Sequence, residues 1–247
     1  MKTFLPSPYE LKKALLWPRT QFMRWRYRNS QESMKSMLEL HYYRPEFFKF
    51  VAATFVNKNI LHPSDLAPEC VVIDVGAFTG NWAQHVSTLY DPTIFSFEPN
   101  PKSFERLQQR AQDNPKLQVF PYGLGDRDET VEFVLSGLGS TEIYEHTAVD
   151  ADTPRVQVEI ADIKRVWDEF AWDRVDLVKI NIEGAEYDLL DRMFEQGLQH
   201  DVQSFLIQFH EWHPGAYSRR RKILKELRKT HRCEWNFDFV WEKWVKL

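Results

Sequence analysis

Cysteine is scarce in this chain, and long apolar runs and an excess of basic charge are missing. The 247 residues include two cysteines, Cys70 and Cys233, far apart and in no CxxC or zinc-type spacing. That argues against a disulfide framework or a thiolate metal centre and fits a reducing cytoplasm. No apolar stretch approaches the ~20 residues of a membrane span, so no transmembrane segment is expected. Lys2 stands near the N-terminus without a long apolar core or a cleavage site, so no signal peptide is expected. The formal net charge of -4 gives no global attraction to nucleic acid, and no nucleic-acid partner is expected. Repeats and low-complexity segments are also missing. Aromatics, by contrast, are plentiful, at 15% with 18 Phe and 9 Trp. Hydrophobic residues make up 43%, which fits a globular protein of one large domain or two small ones.

Residues 71–80, VVIDVGAFTG, are the most informative stretch. A β-branched apolar run bounded by glycine reads as a strand buried on both faces. An unpaired carboxylate there is costly, so Asp74 must have hydrogen-bond partners near the strand's carboxyl end. Gly76 permits a backbone turn that other residues resist, and Gly80 allows close approach of chain or ligand before a helix begins at Asn81. Strand, glycine turn and helix N-terminus form the frame of a nucleotide site. An ordinary strand-to-helix turn has the same local pattern.

Downstream, strands and helices alternate. TIFSFE ends at Glu98, a helix opens with Pro101, and LQVFPYGL reads as a third strand. Residues 130–160 read as an inserted hairpin and 162–171 as a helix. VDLVKINI is a strand, AEYDLLDRMFEQG a helix closed by Gly197, SFLIQFH a strand, and 216–230 a basic helix. The last segment, CEWNFDFVWEKWVKL, suits a closing antiparallel hairpin. The expected fold is α/β: a mostly parallel seven-stranded Rossmann-like sandwich with a C-terminal antiparallel hairpin, spanning 69–247. Residues 1–68 read as a helical N-terminal extension, with Pro45 starting its second helix. The extension's Arg/aromatic cluster could bind anionic substrate, touch a membrane surface or pair with another chain as a homo-oligomer. Such clusters are more often packed faces with solvated Arg heads.

A dinucleotide site prefers GxGxxG after its first strand, and that pattern is absent. The spacing DxGxxxG instead resembles the first motif of S-adenosylmethionine-dependent methyltransferases. Glu98 is placed to accept two charge-assisted hydrogen bonds from a ribose, a role that suits either cofactor class. It could instead complement a helix dipole. In order, VVIDVGAFTGNW, FSFEPNPKSFERL, YGLGDRDETVEFV and VDLVKINIEGAEYDLL resemble the FkbM-type methyltransferases over about residues 69–211, with FEPNP and KxxxEGAE the specific parts. The resemblance implies S-adenosyl-L-methionine as cofactor and O-methylation of a sugar, glycan or natural-product hydroxyl. It implies Asp74, Gly76 and Gly80 around the methionine part, Glu98 on the ribose, and Gly125 and Asp126 near adenine. Ala77, Phe78, Asn81, Pro99, Asn100 and Asn181 complete the expected cofactor set.

Two positions depart from the family pattern. Asn181 stands where the family usually has Asp, and Gln208 where it usually has Glu. Without that carboxylate a Mg²⁺ site loses a hard ligand, so no metal is expected. The departures also motivate an alternative, a catalytically weakened cofactor-binding or scaffold protein of the same fold. HxxH at His210 and His213 lacks helical metal-site spacing and a third ligand.

A sugar hydroxyl must lose its proton as the methyl arrives. Lys179, Asn181 and Glu183 from one strand end and His210 from the next are the candidates near the acceptor. His210 is the expected base, with Glu183 orienting it or the acceptor, although a structural His satisfied by backbone is equally compatible. Lys179 inside an apolar strand is expected to pair with a carboxylate. The basic run at 218–222 reads as a solvated helix face, or as a hold for a phosphorylated substrate. Trp235, Trp241 and Trp244 read as packing of the terminal hairpin.

Overall fold

A computed structural model describes residues 45–247 apart from 64, 137–138, 143–154, 212 and 214. The reading of 1–44 as part of a helical extension falls outside the described residues. From Pro45 onward the expected helix is present as α1 (Pro45–Val56), whose Phe50 ring meets Phe237 edge-on at 5.6 Å.

Seven strands form the main sheet, in the order β10-β11-β9-β8-β1-β2-β3. They are β1 (Val71–Val75), β2 (Thr93–Phe97), β3 (Leu117–Phe120), β8 (Leu177–Ile180), β9 (Ser204–Ile207), β10 (His231–Phe237) and β11 (Trp241–Lys246). The β3-β2-β1-β8-β9 neighbours all pair in parallel, while β11 runs antiparallel to both β9 and β10. This is the expected Rossmann-like arrangement.

Strand alternation divides the core into two layers. Ile73 and Val75 face one apolar cluster with Phe95, Phe97, Val178 and Ile180; Val72 faces the other with Ile94, Leu177 and Leu206. The helices α2 (Asn81–Tyr90), α3 (Pro101–Ala111), α4 (Ile163–Glu169), α5 (Glu186–Glu195) and α6 (Ala216–Leu227) follow strands as the alternation predicts. Capping explains two of their starts. The Asn100 side chain accepts from the N–H of Lys102 and Ser103 with Pro101 in the first turn, and the Asp162 side chain accepts from the N–H of Lys164.

One strand boundary is corrected. The third strand does not run through LQVFPYGL: β3 stops at Phe120, and β4 (Gly123–Gly125) belongs to another sheet. Pro121 has no N–H to continue the ladder, so the chain leaves the sheet there. The expected inserted hairpin is present as β5 (Glu129–Ser136) and β7 (Arg155–Asp162), paired antiparallel, and with β6 (Gly139–Glu142) and β4 it forms a four-stranded sheet ordered β4-β7-β5-β6.

The basic run at 218–222 is not a solvated face throughout. Arg220 is buried, donating to Glu242 and to Asp238, and Arg219 pairs with Asp188 and Asp191. Trp241 and Trp244 are buried in the hairpin.

Candidate functional site

At the carboxyl edge of the main sheet, the loops after β1, β2 and β8 meet β4, β5 and β7 around a cavity of about 300 Å³. Its size falls at the lower end of small-molecule sites. Of the residues expected in the site, Gly76, Phe78, Glu98, Pro99, Gly125, Asp126, Asn181 and Glu183 line it. Asp74, Ala77, Gly80, Asn81, Asn100, Lys179 and His210 do not; they stand behind or beside its wall.

The glycine turn after β1 is fixed by close approach. Gly76 has φ +77°, and a Cβ on it would sit 2.1 Å from the backbone oxygen of Asn181. The N–H groups of Gly76 and Ala77 both donate to the carbonyl of Phe97 at 3.0 Å, which ties the turn to β2. Gly80 is likewise set by close approach: its missing Cβ makes room for the Leu107 side chain of α3. Below the turn, Lys179 Nζ donates to Asp74 Oδ1 and to the Gly76 carbonyl, both at 2.8 Å. Asp74 and Lys179 are cross-strand neighbours in the β1–β8 register and both are buried. The expected carboxylate partner of Lys179 is therefore Asp74, and the ammonium supports the turn from beneath.

Glu98 follows β2 and is only 7% exposed. Its Oε2 accepts from the Phe78 N–H and its Oε1 from the Asn100 N–H, each at 2.8 Å. Burial pushes its carboxyl above the ordinary carboxylate range; the two N–H groups and nearby Lys179 pull the other way. An ionised carboxylate offers about four acceptor directions, so two remain after these bonds. The strand end is thus buried, and its carboxylate holds two loops together.

Asn181 is placed as rigidly. Its N–H donates to the Val75 carbonyl at 3.0 Å, its carbonyl presses on Gly76, and its side-chain Oδ1 is buried with no hydrogen-bond partner among the described residues.

The second sheet supplies a wall that sequence reasoning missed. A Cβ on Gly123 or Gly125 would come within 2.7 or 2.6 Å of the Ile160 side chain, so the GLG strand lies flat against β7. Two glycines two residues apart in a strand are the signal that would have found it. Among the charged lining residues carboxylates prevail, with Glu98, Asp126, Glu129, Glu183 and Asp188 against Arg127. Arg127 is itself paired with Asp126 at 3.0 Å and Glu129 at 2.9 Å. Such a lining favours a ligand with positive charge.

Behind Glu183 stands His210, 2% exposed. Its Nε2 is 3.6 Å from Glu183 Oε2, and its Nδ1 is 3.2 Å from both oxygens of Glu186. Glu186, the last letter of KINIEGAE, is fully buried; its oxygens accept the N–H of Gly184 at 2.8 Å and of His210 at 2.7 Å. Sequence reasoning gave the partnering role to Glu183 and missed Glu186. Among the described residues, no group of three His, Cys, Asp or Glu side chains is arranged to hold a metal ion.

The strand order with its antiparallel β11 and the cavity at the carboxyl edge define a Rossmann-like methyltransferase fold. Residues 74–239 match the methyltransferase FkbM domain, well over half of the chain, and the protein belongs to that family. Curated relatives are distant. The hexuronic acid methyltransferase AglP of Haloferax volcanii is 25% identical over 178 residues, covering 69% of this chain and 69% of that protein. Methyltransferase 1 of Beauveria bassiana is 28% identical over 165 residues, covering 55% of this chain and 65% of that one. The AMB antimetabolite synthetase AmbE of Pseudomonas aeruginosa is 25% identical over 209 residues, which is 68% of this chain but only 10% of that protein. Among solved structures, a fibrillarin/Nop5p complex aligns with TM-score 0.46 and 13% identity, over 79% of this chain and 80% of that one. The METTL16 methyltransferase domain aligns with TM-score 0.42 and 9% identity, over 76% and 64%.

Proposed function

We propose that this chain is an S-adenosylmethionine-dependent O-methyltransferase acting on a hydroxyl of a sugar, glycan or natural product. The observation that carries the reading is Glu98: a buried carboxylate lining the cavity, held by two loop N–H groups and keeping two acceptor directions for a ribose diol. The rest of the cavity fits the same cofactor. Gly76, Gly123 and Gly125 let the segments of the wall pack closely, the buried Asn181 Oδ1, without a partner among the described residues, offers an acceptor, and the acidic lining suits a cationic ligand. The hexuronic acid named for AglP makes a sugar acceptor a reasonable first choice.

When bound, the cofactor supplies an electrophilic methyl on a sulfonium sulfur. The chain's own residues orient, exclude water and handle the proton. Glu98 would hold the ribose and Asp126 would stand near the adenine. Lys179, paired with Asp74 and donating to Gly76, would hold the glycine turn rather than touch an acceptor. Glu183 faces the cavity with His210 behind it, which supports proton removal at Glu183 with His210 as the next station, the reverse of the order expected from sequence.

Titration calorimetry of the folded chain with S-adenosylhomocysteine, the demethylated product, tests the cofactor reading directly. Binding with one site is the expected result, and the absence of binding would sink the proposal. With an acceptor in hand, His210→Ala should keep that binding and lower turnover by about 10²-fold or more.

A further inference from the structure

We infer that Glu186 is a positioning residue that fixes the tautomer of His210, so that the ring carries its proton on Nδ1 toward Glu186 and presents Nε2 toward Glu183. The inference rests on the reading of Glu183 and His210 as the proton-handling side of the cavity.

The geometry builds from the backbone. Glu186 opens α5 and turns its side chain back into the preceding loop, where Oε2 accepts the Gly184 N–H at 2.8 Å. Its Oε1 reaches across to the end of the neighbouring strand and accepts the His210 N–H at 2.7 Å. The carboxylate thus ties the β8–α5 loop to the segment after β9. The same two oxygens stand 3.2 Å from His210 Nδ1. A carboxylate already accepting two N–H bonds offers only acceptor capacity to a third group, so it selects the tautomer with hydrogen on Nδ1. A second bond anchors the same segment, the Tyr187 hydroxyl donating to the His210 carbonyl at 2.8 Å. Tyr187 is buried, and that burial keeps its phenol protonated as a donor.

The consequence falls on the other ring nitrogen. With hydrogen on Nδ1, Nε2 carries the lone pair, and it faces Glu183 Oε2 at 3.6 Å. That separation is longer than a hydrogen bond, and a proton arriving on Glu183 closes it. Glu183 is 40% exposed at its side chain and lines the cavity, whereas His210 does not. A proton leaving an acceptor hydroxyl would move to Glu183 and on to Nε2, while the oxygen's electron pair would form the new bond to the methyl carbon and the pair of the broken carbon–sulfur bond would stay with the departing sulfur. The protonated ring then donates to a carboxylate on each side. If Nε2 already held the hydrogen, the lone pair would lie on Nδ1, on the far side of the ring from Glu183, and this route would be closed. Glu186 therefore decides whether His210 can act, without itself touching substrate.

The experiment needs no acceptor. Two-bond ¹H–¹⁵N correlation spectra of the full chain, labelled on histidine, report the tautomer of each neutral ring near pH 8. His210 is assigned by the signal lost in His210→Gln. The expected wild-type result is the Nδ1–H form, and Glu186→Gln is expected to shift the ring to Nε2–H. A wild-type ring in the Nε2–H form overturns the inference, as does a tautomer unmoved by Glu186→Gln. Should that variant fail to fold, the wild-type spectrum still decides the sign, and Glu186→Asp, which withdraws the carboxylate by one methylene, should yield a mixed population; an unmixed one overturns the role. S-adenosylhomocysteine affinity, measured on the same samples, should be within about twofold of wild type. Loss of binding in the wild type would strike the cofactor reading instead, and a purely structural Glu186 would lower stability without moving the tautomer.

Discussion

Gly76 and Gly197 make a matched pair for testing what holds the glycine turn. Both have left-handed backbones, at φ +77° and +73°. An L-residue in that conformation costs about 1–2 kcal/mol, so Gly→Ala carries this term at either site. The surroundings differ. A Cβ at position 76 would stand 2.1 Å from the Asn181 carbonyl oxygen and 2.9 Å from Ile182 Cγ2, whereas at position 197 the nearest atom, His200 Cδ2, is 3.8 Å away. Ordinary contact lies near 3.5 Å, so the end of β8 must retreat by about 1 Å or more. It is held there by the Asn181 N–H on Val75, so retreat strains the β1–β8 ladder. Overpacking of this kind costs about 1–3 kcal/mol. Gly76→Ala should therefore lose about 2–5 kcal/mol and Gly197→Ala about 1–2 kcal/mol. Urea unfolding with unchanged m-values measures both, and calorimetry with S-adenosylhomocysteine should show binding lost only in the first. Equal destabilisation of the two variants would refute the close-approach argument.

Further outcomes follow from ionisable groups withdrawn from water. Lys179→Met strands the Asp74 carboxylate and should cost about 3–5 kcal/mol, with most of it regained in Lys179→Met/Asp74→Val; a double variant no better than the single would contradict the pairing. The Glu98 carboxyl lies above its ordinary range because of burial. S-adenosylhomocysteine affinity should thus fall on acidification beginning above the usual carboxylate range, and affinity constant down to about pH 4.5 would contradict a ribose role for the ionised form. For the empty protein the sign is opposite: the folded state binds the proton more tightly, so this group's contribution to stability is lost as pH rises through the same window. His62 is lowered to about 4 by burial and by neighbouring His85. The unfolded chain binds that proton more readily, so stability should decline as pH falls from about 6.5 toward 4, and His62→Phe should flatten the slope in urea titrations.

The features legible in sequence were those set by neighbours along the chain. The β-branched run of β1, the glycine after it, Glu98 at the end of β2 and prolines 45 and 101 opening helices are all local signals. Features missed were set by partners far away. Arg220 reads as part of a solvated basic run until β11 brings Glu242 against it. Glu186 reads as a first-turn acid of a helix, and only the adjacency of β8 and β9 brings it to His210, 24 residues on. Lys179 was read correctly as needing a carboxylate, but the choice of Asp74, 105 residues earlier, depends on sheet register. The break between β3 and β4 had its signal in Pro121, which the apolar pattern of LQVFPYGL obscured.

Glu98 and Glu186 solve the same problem at neighbouring places on the sheet edge. Each is buried, and each spends its two oxygens on backbone N–H groups from two different loops: Phe78 and Asn100 for Glu98, Gly184 and His210 for Glu186. Both loops contain a non-glycine residue in the left-handed region, Phe78 at φ 51° and Glu183 at φ 54°, and both of these line the cavity. Such backbone costs about 1–3 kcal/mol per residue and persists only where surrounding bonds over-determine it. The carboxylates supply those bonds, fixing the strained loops while leaving acceptor directions for other groups. A glutamine at either position keeps the shape but accepts at one end only, setting its amide against the remaining N–H. The negative charge is therefore structural as well as chemical at both sites, because a carboxylate, unlike an amide of equal size, accepts at both ends.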